Sequence, residues 1–230
     1  MAIPAQFVSR EFRERSAPLW KAIMNHPFVR GLGSGELSRE RFEHYLKQDY
    51  VYLIEFGRVL ALAAAKSEDL AGMSSFAKLL NATLELEMDL HRRTCADFGI
   101  TPEMLERVQP SLVTTAYANL LVRTCYEGRP ADMLAALLPC EAGYVEIAES
   151  LRSRDVPSNP HYKDWIDTYS SAEFREFARW VASTFDELAV GAPRRDVDRW
   201  YRLYLTSARF ELLFFDMGWR MEVWPGVVPD

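Results

Sequence analysis

A chain of 230 residues with 49% hydrophobic residues, 11 Gly and 12 Pro is long enough for one large domain with a full core. Its formal charge of -6 and its lack of any Lys/Arg-rich block exclude a nucleic-acid surface, which needs clustered positive charge. No stretch approaches the roughly 20 apolar residues of a membrane span, and the start MAIPAQFVSREFRER has no apolar export region, so a cytoplasmic protein is expected.

In chain order, Phe7, Phe12, Leu19, Trp20 and Ile23 among charges predict an amphipathic helix from Gln6 to Asn25, ended by His26-Pro27. GLGSGEL reads as a loop, and Ser38 as the cap of a helix from Arg39 to about Ala65. That helix has the stripe Tyr45, Asp49, Tyr52, Phe56, Val59, apolar or aromatic at every position but Asp49. After a break at Ser67 to Asp69, a third helix runs through FAKLLNATLELEMDLHRRTCADF to near Gly99. Its density of Glu and Arg predicts a solvent-facing side, and Glu87 and His91, four apart, read as a surface pair.

Thr101-Pro102-Glu103 opens a short helix and Pro110-Ser111 another, through Tyr117 and Leu121. Beyond Gly128, Pro130 begins a helix to Arg152 whose inward stripe is Leu137, Cys140, Tyr144, Ala148 and Leu151. Pro139 inside it frees the carbonyl of Ala135 and predicts a bend beside the thiol. DVPSNPHY is a loop. Trp165, Tyr169, Phe174, Phe177 and Trp180 then mark a short helix and a longer one to about Leu188, and Gly191-Ala192-Pro193 breaks the pattern. The last helix, about Asp196 to Arg220, encloses Glu211 in FELLFF. With no strand-like alternation and no internal repeat, the expectation is an all-α, single-domain bundle of seven to nine helices over 1–230.

Three residues break the apolar patterning. Buried carboxylates such as Asp49 and Glu211 are either paired or kept for chemistry, because an unpaired one costs several kcal/mol or takes up a proton. Cys140 alone is a small hydrophobe, and Cys95, Cys125 and Cys140 form an odd set without metal-type spacing, so free thiols are expected. Three intruders on separate helices, accompanied by Tyr52, Tyr144 and Tyr204, point to one shared internal cavity. A carboxylate-bridged metal pair would want two Glu-x-x-His repeats and two further acids, and the four histidines do not provide them. There is no glycine-rich phosphate loop and no G-x-S-x-G elbow.

The ordered motifs WKAIMNHPFVRGL, FEHYLKQDYVYLIEF, LLPCEAGYVEIA, HYKDWIDTYSSAEF and FELLFFDMGW resemble those of the TenA family, or thiaminase II, in its cysteine-containing group. The resemblance spans essentially the whole chain and implies the haem-oxygenase-like helical fold, no metal or organic cofactor, and a homotetramer. It also implies hydrolysis of 4-amino-5-aminomethyl-2-methylpyrimidine to the 5-hydroxymethyl compound and ammonia, with slower cleavage of thiamine. By this resemblance Cys140 is the nucleophile and Glu211 its acid partner. Asp49 and Tyr52 hold the amino-pyrimidine edge, and Tyr117, Tyr144, Tyr169 and Phe214 complete the substrate site. Ala142 stands where the family often has a bulky aromatic residue, and Phe210 where a tyrosine often precedes the glutamate; both are expected to affect the pocket.

The chemistry suits these residue types. An aminopyrimidine becomes electrophilic when a ring nitrogen is protonated, which a glutamic acid kept neutral by apolar neighbours can do. A thiolate then adds to the ring and the substituent on the exocyclic methylene is expelled. The competing class is a non-catalytic pyrimidine binder or regulator on the same fold, which would need the aromatic cavity but not a cysteine and two acids together.

Overall fold

A computed structural model describes residues 7–154 and 157–225. Among them are twelve α-helices, one π-helical turn and no strand. Gln6, and Asp155 and Val156 of the expected loop, lie outside the described residues.

The helix expected up to Asn25 is two: α1 (Val8–Arg15) and α2 (Ala17–Met24). Pro18 has no N–H to give to the Glu14 carbonyl, and Ser16 Oγ donates a second hydrogen bond, beside that of its own N–H, to the Phe12 carbonyl at 2.8 Å, so the helix stops and restarts. Half of the expected glycine loop is also helical. In α3 (Pro27–Ser34), Pro27 opens the first turn, the His26 ring accepts from the Phe28 N–H, and Phe28, Val29 and Leu32 bury one face. Gly35, at φ 81°, ends it.

The long helices follow their apolar stripes. α4 (Arg39–Lys66) buries Tyr45, Asp49, Tyr52 and Phe56. The third predicted helix is α5 (Leu70–Ala82), a π-helical turn (Thr83–Glu87) and α6 (Met88–Asp97), end to end. After α7 (Pro102–Glu106) comes α8 (Leu112–Glu127), fixed to α4 by Gln48, whose side-chain oxygen accepts from the Ser111 N–H and the Thr114 hydroxyl, both at 2.7 Å.

α9 (Pro130–Arg152) lies at the centre, packed on α11 (Ala172–Ala189), α12 (Arg194–Arg220), α10 (Pro160–Tyr169) and α8. Every residue from Ala131 to Pro139 is buried, so this half of the helix has no polar face. It runs through Pro139 as one element, and in that turn Ser207 Oγ donates to the Ala136 carbonyl at 2.7 Å. Gly143 allows α2 to close on it: a Cβ there would stand 2.2 Å from the Trp20 ring. One contiguous core extends from Val8 in α1 to Met217 in α12. No helix among the described residues is long and apolar enough to cross a membrane.

Candidate active site

Five segments enclose a chamber beside Cys140. α4 contributes Asp49, Tyr52, Leu53 and Phe56, the π-helical turn Glu87, and α9 Cys140, Glu141 and Tyr144, while Tyr169 and Phe174 come from α10 and α11. The space between these side chains and at its mouth is about 340 Å³. It is a narrow slot walled largely by aromatic rings.

The Tyr52 hydroxyl donates to Cys140 Sγ at 3.4 Å. Burial pushes the thiol well above its ordinary pKa, and the charges of Glu211 and Glu141 push the same way, against the Tyr52 hydrogen bond. The resting sulfur is therefore a neutral thiol, and a thiolate forms only when its proton has somewhere to go. Cys95 and Cys125, both buried and free, are pushed up to about 12 by burial and are packing residues.

Glu211, Tyr117 and Phe214 are not part of the open lining; they stand in a second layer against Tyr52. The Tyr52 ring is 5.1 Å from Tyr117 and 5.6 Å from Phe214. Tyr117 donates a short hydrogen bond to Glu211 and lies 3.0 Å from Ser207 Oγ, while Phe210 stacks on its ring at 5.3 Å. Burial raises Glu211 to about 8, opposed by the Tyr117 hydrogen bond and helped by the Asp49 charge. A carboxyl held there is protonated through much of the neutral range and can act as an acid.

Asp49 has a partner that the sequence pattern did not suggest. His91 Nε2 lies 2.7 Å from Asp49 Oδ2, and His91 Nδ1 lies 2.7 Å from the Glu87 carbonyl oxygen. Glu87 and His91 are thus not a surface pair: His91 is fully buried and the Glu87 side chain lines the chamber. Burial opposes charge on His91, but the hydrogen bond and charge of Asp49 outweigh it and raise the pKa. Glu87 itself is raised to about 7 by burial and the Asp49 charge. A helical spacing was available as a signal, since Leu79, Thr83, Glu87, His91 and Thr94 form a buried stripe. It was hidden by Glu85, Asp89, Arg92 and Arg93 on the outer faces and by Leu84 and Leu86, which point outward.

Glu141 is the other acid that sequence reasoning missed. It is buried, faces the chamber, and is raised to about 8, first by burial and then by the charges of Glu87 and Glu211. Tyr144 is set by its neighbours: its hydroxyl is 3.3 Å from that of Tyr45, which accepts from Trp165 Nε1 at 3.4 Å, and its ring is 4.9 Å from Tyr169. Two expectations are corrected. Tyr204 does not line the chamber, its hydroxyl instead accepting from Trp20 Nε1 at 2.8 Å. Ala142 is exposed beside Arg13 and Glu146 and does not shape the chamber, because it lies on the opposite side of α9 from Cys140 and Tyr144. Among the described residues, no group of three His, Cys, Asp or Glu side chains is placed to hold a metal ion.

Comparison with known proteins matches residues 13–221 to the TENA/THI-4/PQQC family. An aminopyrimidine aminohydrolase from Halalkalibacterium halodurans is 41% identical, over 92% of this chain and 95% of that one. A structure from Silicibacter sp. TM1040, described as a TenA family transcription regulator, superposes with a TM-score of 0.85 at 34% identity, covering 94% of this chain and 97% of that one. A domain of unknown function from Shewanella denitrificans with a haem-oxygenase-like fold gives 0.71 at 18% identity, over 93% and 92%, and shows the fold alone.

Proposed function

The chain belongs to the TENA/THI-4/PQQC family, and from that premise we propose that it is an aminopyrimidine aminohydrolase of the thiaminase II type. It would convert the aminomethylpyrimidine to the hydroxymethyl compound and ammonia, acting through Cys140. The observation that carries this reading is the Tyr52 hydroxyl on Cys140 Sγ at 3.4 Å, in an aromatic slot that also holds Asp49 and three raised acids nearby.

Asp49, oriented by His91, accepts from the amino group and fixes the ring's register, while Tyr144, Tyr169 and Phe174 cover its faces. Glu211, held by the Tyr117 hydroxyl one layer behind Tyr52, is the acid that protonates a ring nitrogen, and Phe214 packs against Tyr52 as an apolar wall. The Cys140 sulfur bonds to a ring carbon as its proton passes to a carboxylate of the chamber, and Tyr52 donates to the developing thiolate. The ring electrons then break the bond between the exocyclic methylene and the amine, which leaves as ammonia. Water adds to the methylene and its proton goes to the ammonia. Finally the sulfur is expelled, recovers its proton, and the ring nitrogen returns its own to Glu211. Thiamine would follow the same course with the thiazole as leaving group.

A cytoplasmic homotetramer of one-domain subunits belongs to this proposal on the strength of the resemblance. The experiment is ammonia release from the aminomethylpyrimidine by the wild type and by Cys140→Ser. Release by the wild type with loss of about 10³-fold or more in the variant is expected of a lost nucleophile. Equal rates would remove Cys140 from the chemistry. No release by a folded wild type that still binds the pyrimidine would favour a regulator, as the Silicibacter relative is described.

A further inference from the structure

The chamber holds two acids that the reaction above gives no specific partner. Glu141, on α9, is 6% exposed, and no hydrogen bond reaches its carboxyl from the described residues; Glu87, on the π-helical turn, is 7% exposed. Both line the slot, and no lysine or arginine does. The nearby His91 ring is already engaged by Asp49 and the Glu87 carbonyl.

A buried, unpartnered carboxyl is unfavourable unless something brings it a donor or a positive charge. Among the described residues nothing does so for Glu141, which keeps its proton when the slot is empty and can release it to meet a positively charged ligand. The surrounding faces suit a cation as well, since Tyr144, Tyr169 and Phe174 place π surface around the same space. Resting on the activity proposed above, which places a basic amine or a thiazolium on the exocyclic methylene, the chemistry of that substituent matches: each is positively charged at neutral pH, and the ammonium also has three N–H donors.

We propose that Glu87 and Glu141 form a cation subsite, which receives the charged substituent on the methylene while Asp49 and the aromatic walls hold the pyrimidine ring. The pair is a specificity determinant: it separates the charged substrate from the neutral hydroxymethyl product, and so favours release of the product once the amine has gone.

The test measures binding in a Cys140→Ser background, where turnover is blocked, with the aminomethyl and hydroxymethyl pyrimidines as probes in a calorimeter. Adding Glu141→Gln is expected to weaken the aminomethyl compound about 10-fold or more and the hydroxymethyl compound by less than about twofold, as for loss of one partner of a buried charge pair. Glu87→Gln, on a different helix, is the second variant and should show the same selectivity. Equal weakening of both ligands, or of neither, in both variants overturns the subsite while leaving the aminohydrolase reading intact. If the Cys140→Ser protein with both glutamates in place binds neither pyrimidine, the activity reading itself fails and the subsite with it.

Discussion

His91 and Asp49 share one proton. The Glu87 carbonyl can only accept, so His91 Nδ1, 2.7 Å away, carries a hydrogen; a neutral ring would then offer Nε2 as an acceptor to Asp49 Oδ2, also at 2.7 Å. One proton must therefore lie between ring and carboxyl, whichever of them holds it. The pair fixes the rotamer of the acid that faces the substrate.

His91→Asn is accordingly expected to lower kcat/KM for the aminomethylpyrimidine by about 10–100-fold, the equivalent of one charge-assisted hydrogen bond of about 1.5–3 kcal/mol. Steady-state ammonia release checks it. A variant within twofold of the wild type would show that Asp49 needs no orienting partner.

The neutral resting thiol makes a second expectation. Cys140 should react with iodoacetamide at pH 7 more slowly than a free cysteine does, with the rate still climbing above the ordinary thiol range, because burial holds the proton on. Mass spectrometry of the labelled peptide reads this site by site. Rapid labelling of residue 140 at neutral pH would mean a resting thiolate and a different first step.

The raised acids also set how stability changes with pH. Burial lifts Glu87 from 4.5 to about 7 and Glu141 and Glu211 from 4.5 to about 8, so between these limits the folded chain binds more protons than the unfolded one. Stability therefore falls as pH rises from about 5 to about 8, by up to roughly 1.4 kcal/mol per pH unit for each proton involved. The raised pKa of His91 acts in the same direction. Urea unfolding at pH 5, 6.5 and 8 measures the slope, and Glu141→Gln should make it shallower by about one proton's share. A slope of the opposite sign would contradict the burial of these groups.

At Gly143 the prediction concerns packing alone. An added methyl group would meet the Trp20 ring at 2.2 Å, and that indole is itself held by its hydrogen bond to Tyr204. Gly143→Ala should lower stability by about 1–3 kcal/mol or more. Thermal melts are the measurement, and an unchanged midpoint would show that α2 can move off α9 freely.

Much of this arrangement can be read from residue patterns, for identifiable reasons. α4, α9 and α12 are long and regular, so a single acid or thiol on an otherwise apolar stripe stands out, and Asp49, Cys140 and Glu211 were found that way. His91 and Glu87 escaped because the helix around Thr83–Glu87 has its usual amphipathic order reversed: leucines 84 and 86 face out and the acid faces in. A π-helical turn adds a residue to one turn, and such turns cluster at functional sites. Glu141 escaped for the opposite reason. The first half of α9, from Ala131 to Pro139, is buried on all sides, so no polar face there marks one more acid just beyond it as misplaced. The first helix splits at Ser16 through local causes, Pro18 and the Ser16 bond back to Phe12, and Tyr204 of α12 then packs on Phe12.

The tightness of the slot dictates an order of arrivals and departures. The rings of Tyr52, Phe56, Tyr144, Tyr169 and Phe174 wall it, so the space beside the thiol is confined. In the reaction proposed above, water is expected to reach the methylene from the side the ammonia leaves, and a bulky thiazole to depart more slowly than ammonia does.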